Sequence, residues 1–182
     1  MTSEPGTQFL YNSGTTNVLG EVIRKTTGLR ADDFADLYLF TPLGITDCLW
    51  AILSNNVCYT SGDLKLRPRD MAKLGALYLH DGIRNERQII SKEWIEESTK
   101  SFISTDPYRM NWEYGYQWWL NTYKVQSRQI PFFSALGWGG QGIIVFPDLD
   151  MVVVTTAGYY DEPDLEFHID VLLMQKIFES VL

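Results

Sequence analysis

The amino-acid sequence predicts an α+β fold, with a mainly helical region at residues 1–112 and antiparallel strands with a last helix at residues 113–182. Two observations predict it. Apolar residues recur at helical spacing in several segments of the first region. The second region contains two nearly continuous β-branched or apolar runs joined by a short loop, which is typical of a hairpin. Because the helices come first and a small sheet comes last, the class is α+β.

Four helices are expected in the first region. The first covers residues 16–27, with Thr15 or Thr16 as its N-cap and Gly28 at the left-handed position after its end. The others are expected at residues 32–40, 68–80 and 91–100, and residues 44–66 are irregular or in short strands.

Three strands are expected in the second region: Tyr114–Leu120, Gly142–Phe146 and Met151–Ala157. Residues 147–150 join the last two strands as a hairpin. A final amphipathic helix on the sheet is indicated by Leu165, Ile169, Leu172, Leu173 and Ile177.

Length and composition describe one globular unit and exclude several classes of protein. The 182 residues are 45% hydrophobic and 14% aromatic, too apolar for a disordered chain. The 15 basic residues are outnumbered by 23 acidic ones, so no nucleic-acid partner is expected. No apolar run reaches the ~20 residues that span a bilayer, so no membrane span is expected. The first residues resemble no signal peptide.

The segment Tyr11-Asn12-Ser13-Gly14 lies directly before the first helix and is one candidate site. A phenol, an amide and a hydroxyl beside the N–H groups of a helix start could bind a ligand, particularly an anion. The alternative is a capped helix start with a tyrosine in the wall.

A second candidate is Gly137-Trp138-Gly139-Gly140-Gln141-Gly142, with four glycines in six residues before a strand. Such a segment needs special dihedrals or a close backbone approach. A strand edge whose N–H groups face a ligand can form an oxyanion pocket. The structural alternative is a glycine-rich hairpin or bulge. A phosphate-binding loop is excluded, because no Lys-Ser/Thr pair follows and a strand comes next.

The aromatic stretch at residues 112–119 is a third candidate. Alternation along a strand would place Tyr114, Tyr116 and Trp118 on one face and Trp119 on the other. The rings either line an apolar substrate pocket or pack in the core.

Histidines and cysteines argue against other chemistry. His80 and His168 are expected on the surface without a neighbour at informative spacing, so a Ser-His-Asp triad is disfavoured. No metal ligand set is evident and no cofactor is expected. Cys48 and Cys58 either approach each other or stay free thiols.

Six segments, in order along nearly the whole chain, carry the motifs of one family: Pro5–Gly14, Leu19–Gly28, Leu39–Ile45, Leu66–Gly75, Tyr114–Trp119 and Gly137–Gln141. Together the chain resembles the serine β-lactamase-related hydrolases, which include class C β-lactamases, DD-peptidases and esterases and amide hydrolases of the same fold. The resemblance implies the C-terminal part of a β-lactamase/transpeptidase-like fold.

The resemblance also implies residue roles. Tyr11 matches the tyrosine of a Tyr-x-Asn/Ser motif, which assists proton transfer to and from the nucleophilic serine. Ser13 occupies the third motif position, which contacts substrate or orients the catalytic lysine. Trp138 and Gly139 fall in the segment that reads Lys-Thr-Gly in β-lactamases. A backbone N–H of Gly140 or Gln141 would supply half of the oxyanion hole. Tyr11 is thus the catalytic candidate, and the substrate-binding candidates are Ser13, Trp138, Gly139, Gly140 and Gln141.

Two departures from the family pattern matter. Trp138 replaces the Lys or His that would hold a β-lactam carboxylate, which argues against antibiotic hydrolysis. No serine in the chain has a lysine three positions later, although the family nucleophile belongs to a Ser-x-x-Lys motif upstream of the tyrosine. We therefore expect the C-terminal half of a serine hydrolase that acts on a small-molecule ester or amide, inactive in isolation. The alternative is a non-catalytic binding or structural module.

Two further expectations follow from the resemblance. The family's first strands normally complete the sheet, so one edge among the last two strands is expected to lack a partner and to favour homo-oligomers. Relatives are often exported, so a periplasmic or secreted location is favoured, although the sequence itself leaves the compartment open.

Overall fold

We obtained a computed structural model of the protein, which describes residues 3–161 and 174–180. The architecture is α+β, as predicted: helices dominate the first region, and five of the six strands of the main antiparallel sheet lie in the second. Among the described residues, the longest apolar helical stretch is too short to cross a bilayer.

Helix α1, Ser13–Thr27, begins three residues before the predicted start. The N-cap is Asn12, so the prediction of Thr15 or Thr16 was wrong. The Asn12 side-chain oxygen accepts hydrogen bonds from two backbone N–H groups of the first turn, at 2.8 and 3.3 Å. The predicted C-terminal end is confirmed, because Gly28 has a φ of 80°.

The other predicted helices are confirmed with small shifts at their ends. They are α2 at Ala31–Ala35, which continues as a π-helical turn at Asp36–Phe40, α3 at Pro68–Leu79 and α4 at Lys92–Ser98. The hydroxyl of Ser91 caps α4, as expected. Short antiparallel pairs join β1 (Cys48–Trp50) to β2 (Leu64–Leu66) and β3 (Ile83–Arg84) to β4 (Arg87–Gln88).

The main sheet is a chain of antiparallel neighbours in the order β10-β9-β8-β7-β6-β5. Its strands are β5 at Ile103–Ser104, β6 at Glu113–Gly115, β7 at Trp118–Val125, β8 at Arg128–Gly137, β9 at Gln141–Phe146 and β10 at Met151–Thr155. The predicted β9–β10 hairpin is confirmed, although β10 ends two residues before Ala157.

One strand prediction was wrong, and one strand was missed. The segment Tyr114–Leu120 is not one strand, because Tyr116 and Gln117 have φ values of 32° and 78° and reverse the chain between β6 and β7. Strand alternation therefore does not hold across this turn. Strand β8 was not predicted, since Pro131 and the polar residues at its start interrupt the apolar pattern.

Helix α3 covers one face of the sheet at β9 and β10. It packs near the buried side chains of Trp118, Phe133 and Val145. Gly75 allows the close approach, because a Cβ there would lie 2.5 Å from a methyl group of Val152. The helix backbone at Gly75 therefore packs directly against the side chains of Val152 and Ile143.

Residues 174–180 form helix α5 on the opposite face of the sheet. Its buried Met174 and Phe178 pack with Ile144 and Phe146 in one core. This part of the predicted last helix is confirmed. The other predicted positions, Leu165, His168, Ile169, Leu172 and Leu173, lie outside the described residues.

Candidate functional site

Tyr11 lies in a cluster of aromatic side chains beside the sheet. Its ring stacks on Tyr108, with centroids 5.7 Å apart and 17° between the planes, and lies 5.7 Å from the ring of Trp119. Trp119 is buried and also contacts Tyr114 at 4.8 Å. Tyr11 keeps 43% of its surface exposed. The structure thus brings the first candidate segment together with the ring of Trp119 from the aromatic stretch.

Tyr108 belongs to a loop at residues 105–112, most of which the sequence analysis missed. The buried hydroxyl of Thr105 holds the loop, because it lies 2.6 Å from the Arg109 carbonyl and 3.1 Å from the Trp112 carbonyl. The Arg109 guanidinium in turn lies over the rings of Trp112 and Trp119, 4.6 and 5.3 Å from their centroids. Of this loop, only Trp112 carried a sequence signal. Tyr108 carried none, because its contact with Tyr11 is between residues far apart in the sequence.

Burial raises the pKa of the Tyr11 phenol, and the neighbouring Tyr108 phenol raises this pKa further. The phenol is therefore protonated at pH 7, where it can donate a hydrogen bond but is a weak base. A cation placed beside the phenol would lower its pKa. General-base catalysis by Tyr11 therefore needs a positive charge brought close to its oxygen.

Ser13 is the first residue of α1 and is exposed. The first N–H groups of the helix, on Gly14 and Thr15, are bonded by the side chain of Asn12. Of the two interpretations of this segment, the structure shows the capped helix start. A substrate role for Ser13 stays a prediction.

The glycine segment forms the tip of the β8–β9 hairpin, because Gly137 pairs with Gln141 across three loop residues. Gly139 and Gly140 have φ values of 83° and 88°, which favour glycine. Trp138 is 70% exposed and contacts the Tyr160 ring edge-on at 5.2 Å. The structure therefore shows the hairpin interpretation. Substrate contacts by Trp138 and Gly139, and an oxyanion role for the N–H of Gly140 or Gln141, stay predictions.

The side chain of Gln141 fixes this hairpin tip to the segment after β10. Its amide nitrogen donates a hydrogen bond to the Ala157 carbonyl and lies 3.4 Å from the Gly139 carbonyl. The Gly139 carbonyl also accepts a bond from the Tyr159 N–H at 3.2 Å. The turn is thus held from both sides. Such rigidity is required of a backbone clamp, by which we mean the N–H groups of Gly140 and Gln141 as donors to an oxyanion.

Strand β8 connects the aromatic cluster to the glycine turn. Trp119 pairs with Ser134, and the pairing of β7 with β8 begins there. Trp138 lies four residues further along, about 13 Å at the usual strand rise. Among the described residues, Leu136 and Gly137 pair with residues of β9 but with no residue of β7. A short strand edge therefore stays open between the two candidate segments.

A groove of about 620 Å³ runs along α1 opposite residues 53–57. Its lining combines apolar Val18 and Leu53 with Asn17 and the Glu21–Arg24 ion pair, whose atoms are 2.6 Å apart. Gly14 also lines the groove, so it begins beside the Tyr11–Gly14 segment.

The remaining aromatic candidates have separate locations. Trp118 is buried in the core with Phe133 and Tyr78, at 5.0 and 4.6 Å. Tyr116 is exposed at the β6–β7 turn. Trp118 therefore packs in the core, and Trp119, which is also buried, lies beside Tyr11.

His80 and the cysteines lie apart from this site. His80 is exposed, as predicted, with its Nε2 atom 3.5 Å from Asp150. Cys48 and Cys58 are free thiols, and burial raises the pKa of Cys58 to about 11. Within residues 3–161 and 174–180, no three His, Cys, Asp or Glu side chains converge as a metal site would require.

Comparison with known proteins identifies the family of the chain. Residues 1–170 match the family model described as Beta-lactamase. The chain belongs to the β-lactamase family.

Two relatives are named for the same activity. The 6-aminohexanoate-dimer hydrolase of Paenarthrobacter ureafaciens is 24% identical over 172 residues, covering 88% of this chain and 42% of that protein. A solved structure from Bacillus anthracis, named after 6-aminohexanoate-dimer hydrolase, matches with a TM-score of 0.80 and 24% identity over 99% of this chain and 47% of the other.

A second solved structure is the octameric penicillin-binding protein homologue from Pyrococcus abyssi. It matches with a TM-score of 0.68 and 19% identity over 96% of this chain and 44% of the other. This chain therefore spans somewhat less than half the length of these three relatives.

Proposed function

We propose that this chain is the part of a serine hydrolase that supplies a proton-transfer tyrosine and a backbone clamp, and that the nucleophilic serine comes from a segment outside it. The observation that carries the proposal is the open end of β8. Tyr11 contacts Trp119, whose partner on β8 is Ser134, and the glycine turn follows the end of β8, so this one strand connects the two segments. The β-lactamase family match supports the catalytic roles proposed for these segments.

The proposed reaction is acyl transfer on a small-molecule ester or amide. The serine oxygen attacks the carbonyl carbon and loses its proton to a base, and the leaving group departs with a proton from an acid. Water then releases the acyl group as a carboxylic acid. The N–H of Gly140 or Gln141 would stabilise the oxyanion, and Tyr11 would carry the proton. Protonated Tyr11 would fill the acid role, and the lysine of a Ser-x-x-Lys motif would supply the cation that lowers its raised pKa for the base role.

The isolated chain is inactive under this proposal, because removing a covalent nucleophile leaves only a small residual rate. A fluorophosphonate probe with mass-spectrometric mapping tests this, together with turnover of an activated acetate ester. We expect no labelled serine, and the same background rate for the wild type and for Tyr11→Phe. Covalent labelling of any serine would overturn the proposed inactivity.

A non-catalytic binding or structural module is the second candidate, favoured by the lack of any Ser-x-x-Lys and by Trp138 in the Lys-Thr-Gly segment. The two candidates differ in the coding sequence upstream of Met1. An in-frame Ser-x-x-Lys there supports the hydrolase, and a stop codon or an unrelated domain supports the module.

A further inference from the structure

We propose that the groove between α1 and residues 53–57 binds the far part of an uncharged, extended amide substrate, whose carbonyl oxygens accept hydrogen bonds from three asparagine side chains. This assignment rests on the proposed acyl-transfer function, because the groove begins at Gly14, three residues after Tyr11. The groove would hold the part of the substrate that is remote from the scissile bond. It would thus add substrate selection to the chemistry proposed for Tyr11.

The groove follows one face of α1. Its lining includes Gly14, Val18, Glu21 and Arg24, which recur at the three- and four-residue spacing of a helix face. Arg24 lies ten residues after Gly14, which is about 15 Å at the helical rise. An extended peptide-like chain of about four residues has this length. The groove therefore fits an extended ligand better than a compact one.

The second wall of the groove, residues 53–57, is a tight turn that is fixed to the rest of the fold. The backbone N–H of Leu53 donates to the Val57 carbonyl at 2.8 Å, and Asn56 has a φ of 60°. The guanidinium of Arg30, directly before α2, donates to the side-chain oxygen of Asn56 at 3.1 Å. This wall is therefore formed before any ligand binds.

Helix α1 and the chain just after this turn are joined directly. The hydroxyl of Thr60 donates to the Thr16 carbonyl at 2.9 Å, and the N–H of Ser61 donates to the side chain of Asn17 at 3.0 Å. A Cβ at Gly20 would lie only 3.1 Å from the methyl group of Thr60. These contacts fix the distance between the two walls, so the groove is preorganised for a ligand.

Three carboxamide side chains line the groove with their NH2 groups available as donors. Each oxygen already accepts a bond from the protein: that of Asn17 from a backbone N–H at 3.0 Å, that of Asn55 from a backbone N–H at 3.3 Å, and that of Asn56 from Arg30. These bonds fix the orientation, since a donor can bond only the oxygen of a carboxamide. Within residues 3–161 and 174–180, no acceptor bonds the three NH2 groups. They can therefore donate to the carbonyl oxygens of a ligand.

The rest of the lining is apolar or balanced in charge. Val18, Leu53 and Val57 supply apolar surface. The charges of Glu21 and Arg24 cancel, because their carboxylate and guanidinium are 2.6 Å apart. The whole chain carries a formal net charge of −8, which repels an anion at low ionic strength. The lining and the net charge together favour an uncharged chain of apolar units joined by amides.

An NMR titration of the full chain with N-acetyl-tetraalanine amide tests the site without turnover. We expect the side-chain NH2 signals of Asn17, Asn55 and Asn56 to shift, together with the backbone amide signals of residues 53–57. The NH2 signal of Asn121, on β7 and outside the groove lining, should stay unchanged. Spectra without shifts, or with shifts only at residues outside the groove, would overturn the proposal.

Substitution of asparagine by aspartate removes the NH2 donor and keeps the oxygen that the protein bonds. Asn55→Asp and Asn56→Asp should each weaken binding of the probe about fivefold, which corresponds to one hydrogen bond. Asn121→Asp is the matched control, because its oxygen also accepts a backbone N–H, from Thr122 at 2.7 Å, and the same charge is added outside the groove. Equal affinities for the control and the groove variants would overturn the role of the carboxamides.

The free acid of the same probe tests the preference for an uncharged ligand. N-acetyl-tetraalanine should bind more weakly than its amide at low ionic strength and approach it as salt is added. Equal or tighter binding of the acid at low salt would overturn this preference. The proposed function fails separately, because the titration needs no nucleophile. A coding sequence without an upstream Ser-x-x-Lys would remove acyl transfer and leave binding in the groove measurable.

Discussion

The rings of Tyr11 and Tyr108 are stacked 5.7 Å apart and nearly parallel, at 17°. This contact joins the segment before α1 to the loop between β5 and β6. The packing buries part of the Tyr11 phenol, and the second phenol adds to the rise in its pKa. A tyrosine in this position is a proton donor until a cation approaches it. The stack thus makes the Tyr11 phenol a weaker acid than a free tyrosine.

Alkaline unfolding should show the buried phenols of this cluster. Burial raises the pKa of Tyr114 to about 12, against an unfolded value near 10. The folded state therefore holds the proton more tightly, so its contribution is complete below about pH 10 and is lost as pH rises toward 12. Tyr114→Phe should flatten the decrease in the unfolding free energy above about pH 10, measured by urea denaturation. An equal decrease in wild type and variant would contradict the assignment.

Local sequence signals predicted most of the helices and the β9–β10 hairpin, because capping residues, proline and β-branched runs act over a few residues. They failed at the Tyr116-Gln117 turn, where positive φ angles at residues other than glycine break an otherwise regular strand pattern. They also failed for β8, whose pairing with β7 is decided by the fold.

The sequence predicted which segments form the candidate site, but it did not predict the contacts between them. Tyr11 and the glycine turn carried motifs, and the family resemblance gave them their roles. Tyr108 and Arg109 carried no local signal, because their meeting with Tyr11 and Trp119 depends on the path of the loop at residues 105–112. Long-range aromatic contacts of this kind have no period along the chain.

The cap at the start of α1 can be tested by substitution. Asn12→Ala removes the side-chain acceptor for two N–H groups and should destabilise the protein by about 1 kcal/mol. Asn12→Ser, which keeps a capping oxygen, should recover most of this loss. Thr16→Ala is the control for the cap that the sequence predicted and should change the unfolding free energy little. Chemical denaturation measures all three, and a larger loss for Thr16→Ala than for Asn12→Ala would contradict the structure.

Gly139 should tolerate no side chain. Its φ of 83° is strained for other residues, and a Cβ would overlap the Tyr160 ring. Gly139→Ala should therefore cost about 1–3 kcal/mol in unfolding free energy. Gly158→Ala is the matched control, because nothing lies within 4 Å of its added Cβ. Combining Gly139→Ala with Tyr160→Ala should remove the part of the cost that comes from the overlap and leave the part that comes from backbone strain. Equal costs for Gly139→Ala and Gly158→Ala would show that the turn differs from the one described.

Gln141 should control the rigidity of the glycine turn more than the stability of the whole protein. Gln141→Ala removes the bond to the Ala157 carbonyl, and the net cost of one such bond is about 1 kcal/mol. Amide hydrogen exchange at Tyr159, whose N–H donates to the Gly139 carbonyl, should become faster in the variant. Gln129→Ala, on the exposed start of β8, is the matched control and should leave that exchange unchanged. If exchange at Tyr159 is the same in both variants, the tip of the hairpin is held by its backbone alone, and Gln141 has no part in presenting the clamp.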